Sequence, residues 1–310
     1  MHKGNQEKKR KIQSKLLKQY LDFLREHQCL SDSTINTRRF FISRFLSEIG
    51  GIATPSKLHK LSPKNIHDYI IKTSELLGRA SKKQLVTALR SFLRFAHIYG
   101  YIKKSLSEVV PVITTRKLEG VPKKISWDDI GKLLSAPDRK TPGGRRDYAI
   151  LLLLATYGVR IGQVRNLKLS DIKWHQGTIY FNPSKGGKPL SFPLEASVAK
   201  AILEYIKRDR KDEPFKKIFL TVNGPKRPLN SHNYLNSLRL YYKRAGIVSE
   251  AKGAHAIRHA FATRLMEARV PIKTISDLLG HKLIGTTFIY TKVDVERLRT
   301  LARKWPEVLI

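Results

Sequence analysis

Arg160, Lys185 or Lys188, His255, Arg258, His281 and Tyr290 are residues whose types could together act on a phosphodiester. Such an ester carries one negative charge, and its five-coordinate transition state gathers more on the equatorial oxygens. Arginine meets those oxygens with a planar fork and stays charged at any working pH. Arg160 follows the apolar run LLLLATYGV, where a solvated charge is not expected. His255 and Arg258 lie in HAIRHAFATRL at i and i+3, which puts them on one helix face. A leaving 5′-oxygen needs a proton, which a lysine on a hairpin turn can supply. PSKGGKPL offers Lys185 and Lys188, with glycines that let the backbone approach closely. A tyrosine can attack the phosphorus and form a phosphotyrosine diester, which retains the energy of the broken bond. Its ordinary pKa of about 10 means that nearby cations must help remove the proton.

Each residue alone has a plainer explanation. The chain has 12 tyrosines, and nothing intrinsic singles out Tyr290. Arg258 alone reads as a surface arginine on an amphipathic helix, and a single turn lysine is usually solvated. Metal-dependent chemistry needs several carboxylates, and the 25 acidic residues form no cluster at ligand spacing. His255 and His259 stand at i and i+4, but Ala256 occupies the place where a zinc hydrolase carries glutamate. Neither a metal nor another cofactor is expected.

The elements that would position these groups divide in two. The chain has 310 residues, 41% of them hydrophobic, enough for two domains. Through Gly100 the pattern is helical. Leu16, Leu17, Tyr20, Leu21 and Leu24 recur at helical spacing. SDSTINTRRFFISRFLSEIGG opens on Ser and Asp caps and closes on glycine, and LSPKNIHDYIIKTSE starts with Ser62 and Pro63. ASKKQLVTALRSFLRFAHIYG turns Leu85, Leu89, Leu93 and Phe95 to a core and Lys82, Lys83, Arg90 and Arg94 outward. SEVVPVITTRKLEGVPKK has no helical period and reads as a linker near 106–122. The second part is mixed. SWDDIGKLLSAP is a capped helix, RRDYAILLLLATYG a buried helix, and GTIYF and LSFPL a β-hairpin, with KKIFLTV as a third short strand. Helices follow over 195–209, 231–245, 254–268 and 271–279, with one more ending near Tyr290. The expected fold is mainly α with a small antiparallel β-sheet: a helical bundle over 11–105 behind a basic tail at 1–10, and a mixed α+β domain over 123–310.

The net charge of +35 and a pI of about 10.4 imply a polyanionic partner, nucleic acid before a membrane surface. No apolar run approaches the roughly 20 residues of a spanning helix, and the N-terminus lacks a signal-peptide pattern. The single Cys29 can form no internal disulfide, fits a reducing compartment and reads as a small structural side chain.

Taken together, ATYGVRIGQVRNLKLSDI, KGGKPLSFPL, HAIRHAFATRL and LLGHKLIGTTFIYTKV resemble the tyrosine recombinase, or phage integrase, family, including its Xer-type members. The four stretches stand in that family's order and spacing. The resemblance implies a core-binding (SAM-like) DNA-binding domain over 11–105 and a catalytic domain over 123–310. It implies Arg160 and Arg258 as clamps on the scissile phosphate and Lys185 as the general acid, with Lys188 competing. His255 would assist proton transfer at the tyrosine, His281 would hydrogen-bond the phosphate, and Tyr290 would be the nucleophile. Gln163 departs from the pattern: an acidic residue is usual three positions after the first arginine, and Gln163 is expected in a supporting role. The implied function is site-specific DNA recombination through a 3′-phosphotyrosine intermediate and a Holliday junction, without metal or nucleotide. Topoisomerase-like relaxation and a catalytically silent DNA-binding protein are the alternatives. The implied partners are double-stranded DNA and the protein itself, as a dimer on a site and a tetramer in synapsis. The C-terminal DVERLRTLARKWPEVLI would dock on a neighbouring protomer, or else on its own domain. A cytoplasmic, nucleoid-associated location is expected. Without a further N-terminal arm-type domain, the sequence suits a recombinase of the Xer or mobile-element kind.

Overall fold

The computed structural model describes residues 15–50, 53–113, 125–183, 189–211, 213–249 and 253–280. The chain divides into two compact units, Met1–Lys117 and Leu118–Ile310.

The first unit is helical: α1 (15–26), α2 (Asp32–Ile49), α3 (Pro63–Glu75) and α4 (Arg79–Ile98). The start of α3 is written locally. Ser62 Oγ accepts from the Asn65 amide while Asn65 Oδ1 accepts from the Ser62 amide, and Pro63 needs no partner for an N–H it lacks. On α4 the expected residues Leu85, Leu89, Leu93 and Phe95 are fully buried. They meet Leu16, Tyr20 and Leu24 of α1, with the Tyr20 and Phe92 rings edge to face at 5.4 Å. The stretch read as the start of a linker packs on this unit instead. Val110 is fully buried in its core, and Arg90 donates to the Val110 carbonyl at 2.6 Å. Cys29 is no core side chain: it is exposed, in the turn between α1 and α2, at φ +46°.

The second unit is built around α6 (Pro142–Tyr157), packed against α5 (Trp127–Ser135), α8 (Ala196–Tyr205) and α10 (Ala254–Glu267). Ala149, Ile150, Leu153 and Leu154 of α6 have no exposed surface, as the apolar run predicts. Thr141 caps its start by accepting from the Gly144 amide at 3.0 Å. Gly158 ends it in the left-handed conformation at φ +59°. A Cβ there would lie 2.2 Å from the Phe261 ring, so only glycine lets α10 approach.

The sheet is antiparallel in the order β1 (Ile172–Lys173), β2 (Thr178–Phe181), β3 (Leu190–Pro193). Ile179 and Phe181 point inward and are fully buried while Tyr180 is exposed, the alternation of a half-covered strand. The expected hairpin is therefore present, in the register Phe181 opposite Leu190 and Thr178 opposite Pro193. The third strand is Ile172–Lys173 and not KKIFLTV. The latter divides its backbone pairing between two neighbours, Ile218 donating to Leu167 and Thr221 to Arg227, and makes only isolated bridges.

Two ion pairs fix α6. Arg145 is bidentate on Asp209, at 2.7 and 2.6 Å. Arg146 pairs with Asp147 at 2.7 Å and donates to the Leu220 carbonyl, while Tyr241 of α9 (Ser231–Arg244) donates to Asp147 at 2.8 Å. Burial pushes the phenols of Tyr20, Tyr69, Tyr157, Tyr205, Tyr234 and Tyr241 above the ordinary value of 10.0, and that of Tyr242 to about 12. No helix among the described residues is long and apolar enough to cross a membrane.

Candidate active site

Arg160 does not end the buried helix, as its place after the apolar run suggested. The left-handed Gly158 turns the chain, and Arg160 becomes the cap residue of a new short helix, α7 (Ile161–Asn166). Gln163 completes that cap. Its Oε1 accepts from the Arg160 amide at 3.0 Å, and its own amide donates to the Arg160 carbonyl at 2.8 Å. Gln163 is 3% exposed, so the bond that fixes Arg160 is sheltered from water.

Arg258 stands on α10 but is 4% exposed, not the surface arginine that its helix alone would suggest. Its guanidinium donates to the Gly158 carbonyl at 2.8 Å and to the Leu279 carbonyl at 2.7 Å. Arg160 reaches the same place from the other side. Its Nη1 lies 3.5 Å from the Leu279 oxygen and 3.4 Å from that of Gly280. The two arginines thus converge on the end of α11 (Ile272–Leu278). Arg258 is tightly held, while bonds as long as those of Arg160 are weak and leave its fork able to turn to a better acceptor.

His255 lies one turn before Arg258 and is exposed. The protein packed around the ring, then the charges of Arg258 and Arg160, hold its pKa below the ordinary 6.5. It is therefore neutral at neutral pH and able to accept a proton. The backbone of Leu279 and Gly280 is held against the arginine pair, and the next residue in the chain is His281. His281, Tyr290, Lys185 and Lys188 lie outside the described residues, as do the basic tail, the rest of the linker and the C-terminal tail. Among the described residues, no group of three or more His, Cys, Asp or Glu side chains could hold a metal ion.

Residues 123–297 match the phage integrase family. The chain belongs to that family, the tyrosine recombinases. A Sinorhizobium fredii protein named as an integrase/recombinase, y4rA, is 38% identical over 288 residues, covering 93% of this chain and 70% of its own. The tyrosine recombinase XerD of Listeria monocytogenes is 28% identical over 297 residues, 94% of this chain and 98% of that one. Two solved structures share the fold. XerH bound to its difH substrate after cleavage has a TM-score of 0.69 at 21% identity, covering 87% of this chain and 79% of that one. A lambda integrase dimer on a core site has a TM-score of 0.66 at 19% identity, covering 96% and 99%.

Sequence reasoning about this recombinase missed two parts of the surroundings. One is the pair of carbonyls on which the arginines meet, since a main-chain oxygen has no signature in side-chain spacing. The other is the Arg146–Asp147–Tyr241 network behind α6. Its signal was available: RRD at the head of an apolar helix puts charges where they must be paired.

Proposed function

We propose that this recombinase cuts and rejoins duplex DNA at a specific site through a 3′-phosphotyrosine intermediate. Arg160 and Arg258 bind the non-bridging oxygens of the scissile phosphate. The Tyr290 oxygen attacks phosphorus as its proton passes to neutral His255, and His281 donates to a phosphate oxygen. The bond to the 5′-oxygen breaks, and Lys185 gives that oxygen its proton. The products are a 3′-phosphotyrosyl strand and a free 5′-hydroxyl. Attack by the 5′-hydroxyl of a partner strand expels the tyrosine and reseals the backbone, so no external energy source is needed. Exchange of one strand pair gives a four-way junction, and exchange of the second resolves it. The protein acts as a dimer on each site and a tetramer in synapsis, with the first unit as a DNA-binding clamp.

The observation that carries this reading is the convergence of Arg160 and Arg258 at Leu279 and Gly280, the residues that lead into His281. Covalent capture tests it. Nicked duplexes of random sequence are incubated with the full chain, and DNA that stays attached to protein under denaturing conditions is recovered and sequenced. An adduct enriched in one sequence, formed by the parent chain and lost in Tyr290→Phe, is expected. An adduct that survives Tyr290→Phe would remove Tyr290 from its role. The absence of any adduct alongside tight sequence-specific binding would favour a silent DNA-binding protein.

A further inference from the structure

Two side chains of α10 meet Gly158. Arg258 donates to its carbonyl at 2.8 Å, and the Phe261 ring fills the place where a side chain would start, so that a Cβ built there would overlap its Cδ1, Cε1 and Cγ. The two stand at i and i+3, on one face of the helix. Phe261 is half-buried and lies outside the main core of the second unit, which Ile257 and Ala260 of the same helix join. It packs instead with the small apolar cluster of Ala262, Ile275 and Leu279. The ring thus links Gly158 to the cluster that contains Leu279, and the carbonyls of these two residues are the ones that receive Arg258. Arg160 arrives by another route. It lies two residues after Gly158, at the cap of α7, whereas Arg258 rides on α10. The spacing of the two arginines therefore follows from how closely α10 approaches Gly158, and the ring seated on the bare glycine is the stop for that approach.

We propose that Phe261 is a positioning residue whose seat on Gly158 sets the spacing of Arg258 from Arg160, and with it the fit of the pair to a single phosphate. The inference rests on the reading of the two arginines as the phosphate clamp given above. Non-bridging oxygens on one phosphorus stand at a fixed separation, so the forks that bind them must be held at a matching one, and a misplacement of about 1 Å costs on the order of 10²-fold. The bonds of Arg160 at 3.4 and 3.5 Å are too weak to hold that spacing. A close-packed ring on bare backbone yields little. Truncating Phe261 removes the stop while Ile257 and Ala260 still hold α10 to the main core. It should therefore spoil the grip on the charged phosphate without unfolding the unit.

Removing the charge of the phosphate separates this role from general packing. The duplex recovered by covalent capture is made with either phosphate or neutral methylphosphonate at the scissile position. A methyl group then replaces one non-bridging oxygen, less negative charge gathers in the transition state, and the placing of the cations matters less. In single-turnover cleavage by the full chain, Phe261→Ala is expected to be about 10-fold or more slower than the parent on phosphate. On methylphosphonate it should come within about threefold of the parent. Phe261→Leu, which keeps part of the apolar volume, should show the same pattern at smaller size, and it carries the test if the alanine variant folds poorly. If the folded variants are slowed equally on both substrates, or keep the parent rate on phosphate, the proposal is overturned. Arg258→Ala is the separate control on the underlying reading, and it too should be relieved on methylphosphonate. If it is not, the arginines do not neutralise the phosphate, and the spacing is read without DNA. His255 shares α10 with Arg258 and senses the charge of Arg160, so loosening α10 in Phe261→Ala should raise its titration midpoint in NMR spectra. An unmoved midpoint overturns the proposal, and a raised one places Phe261 in control of the spacing.

Discussion

Buried and half-buried arginines of the second unit occur in two settings, and the difference between them is instructive. Arg145 and Arg146, at the head of α6, are closed by the carboxylates of Asp209 and Asp147. Arg160 and Arg258 instead donate to main-chain carbonyls, which bring partial charge only. The first setting cancels charge and fastens helices together. The second keeps positive potential at one point, the arrangement an incoming phosphate needs. Carbonyl partners alone do not mark a site, however. Arg210 is also buried and donates to the carbonyls of Lys211, Phe215 and Lys217. Its acceptors all lie within the following seven residues and form a local clip, whereas Arg160 and Arg258 come from separate helices and share one acceptor, the Leu279 carbonyl.

The contrast can be broken most sharply at Asp147. Asp147→Ala leaves the Arg146 charge buried and Tyr241 without its acceptor. It should lower the unfolding free energy by about 3–5 kcal/mol, read by denaturant titration, while protein still folded at low temperature cleaves within a few-fold of the parent rate. A stable Asp147→Ala that cannot cleave would erase the distinction. Next in size is Arg160→Ala, expected to slow cleavage by roughly 10²-fold with the denaturant midpoint almost unmoved, because its own bonds are long. A parental rate would remove Arg160 from the phosphate site. Gln163→Ala should cost about 1 kcal/mol by leaving the half-buried Arg160 amide without its acceptor, and Gln163→Glu, which keeps that acceptor, should recover the stability.

The smallest effect concerns His255. With its folded pKa held below 6.5, the unfolded chain takes up a proton first as pH falls. The contribution of His255 is therefore nil above pH 6.5 and destabilising as pH drops from there toward the folded value. Imidazole resonances followed by NMR should show His255 titrating below 6.5, and Arg160→Ala should move it upward by removing one repelling charge. An unshifted titration in that variant would mean that the two groups do not sense each other.

How much of this was legible in sequence depends on the kind of interaction. The hairpin, α3 and the buried α6 follow from alternation, capping residues and apolar runs, which are local. The reach of Arg258 to Leu279 was not legible, because an amphipathic helix does not declare which of its arginines will be swallowed by a neighbouring turn. Likewise KKIFLTV has the composition of a strand, but Ile218 and Thr221 donate in different directions, and composition carries no pairing information. Val110 looked like linker because β-branched residues beside proline have no period, and only its burial assigns it to the first unit.

The buried tyrosines bear on fidelity. On the mechanism proposed above, one phenol attacks a polyanion, yet the chain carries 12 of them and a net charge of +35. Any phenol near enough to ionise beside a phosphate is a rival that could trap the DNA at the wrong place. Seven of the 12 are held above the ordinary phenol range by the packing that makes the two cores. Burial in the cores keeps these seven phenols protonated and enclosed, whereas on the mechanism proposed above Tyr290 is the phenol that attacks.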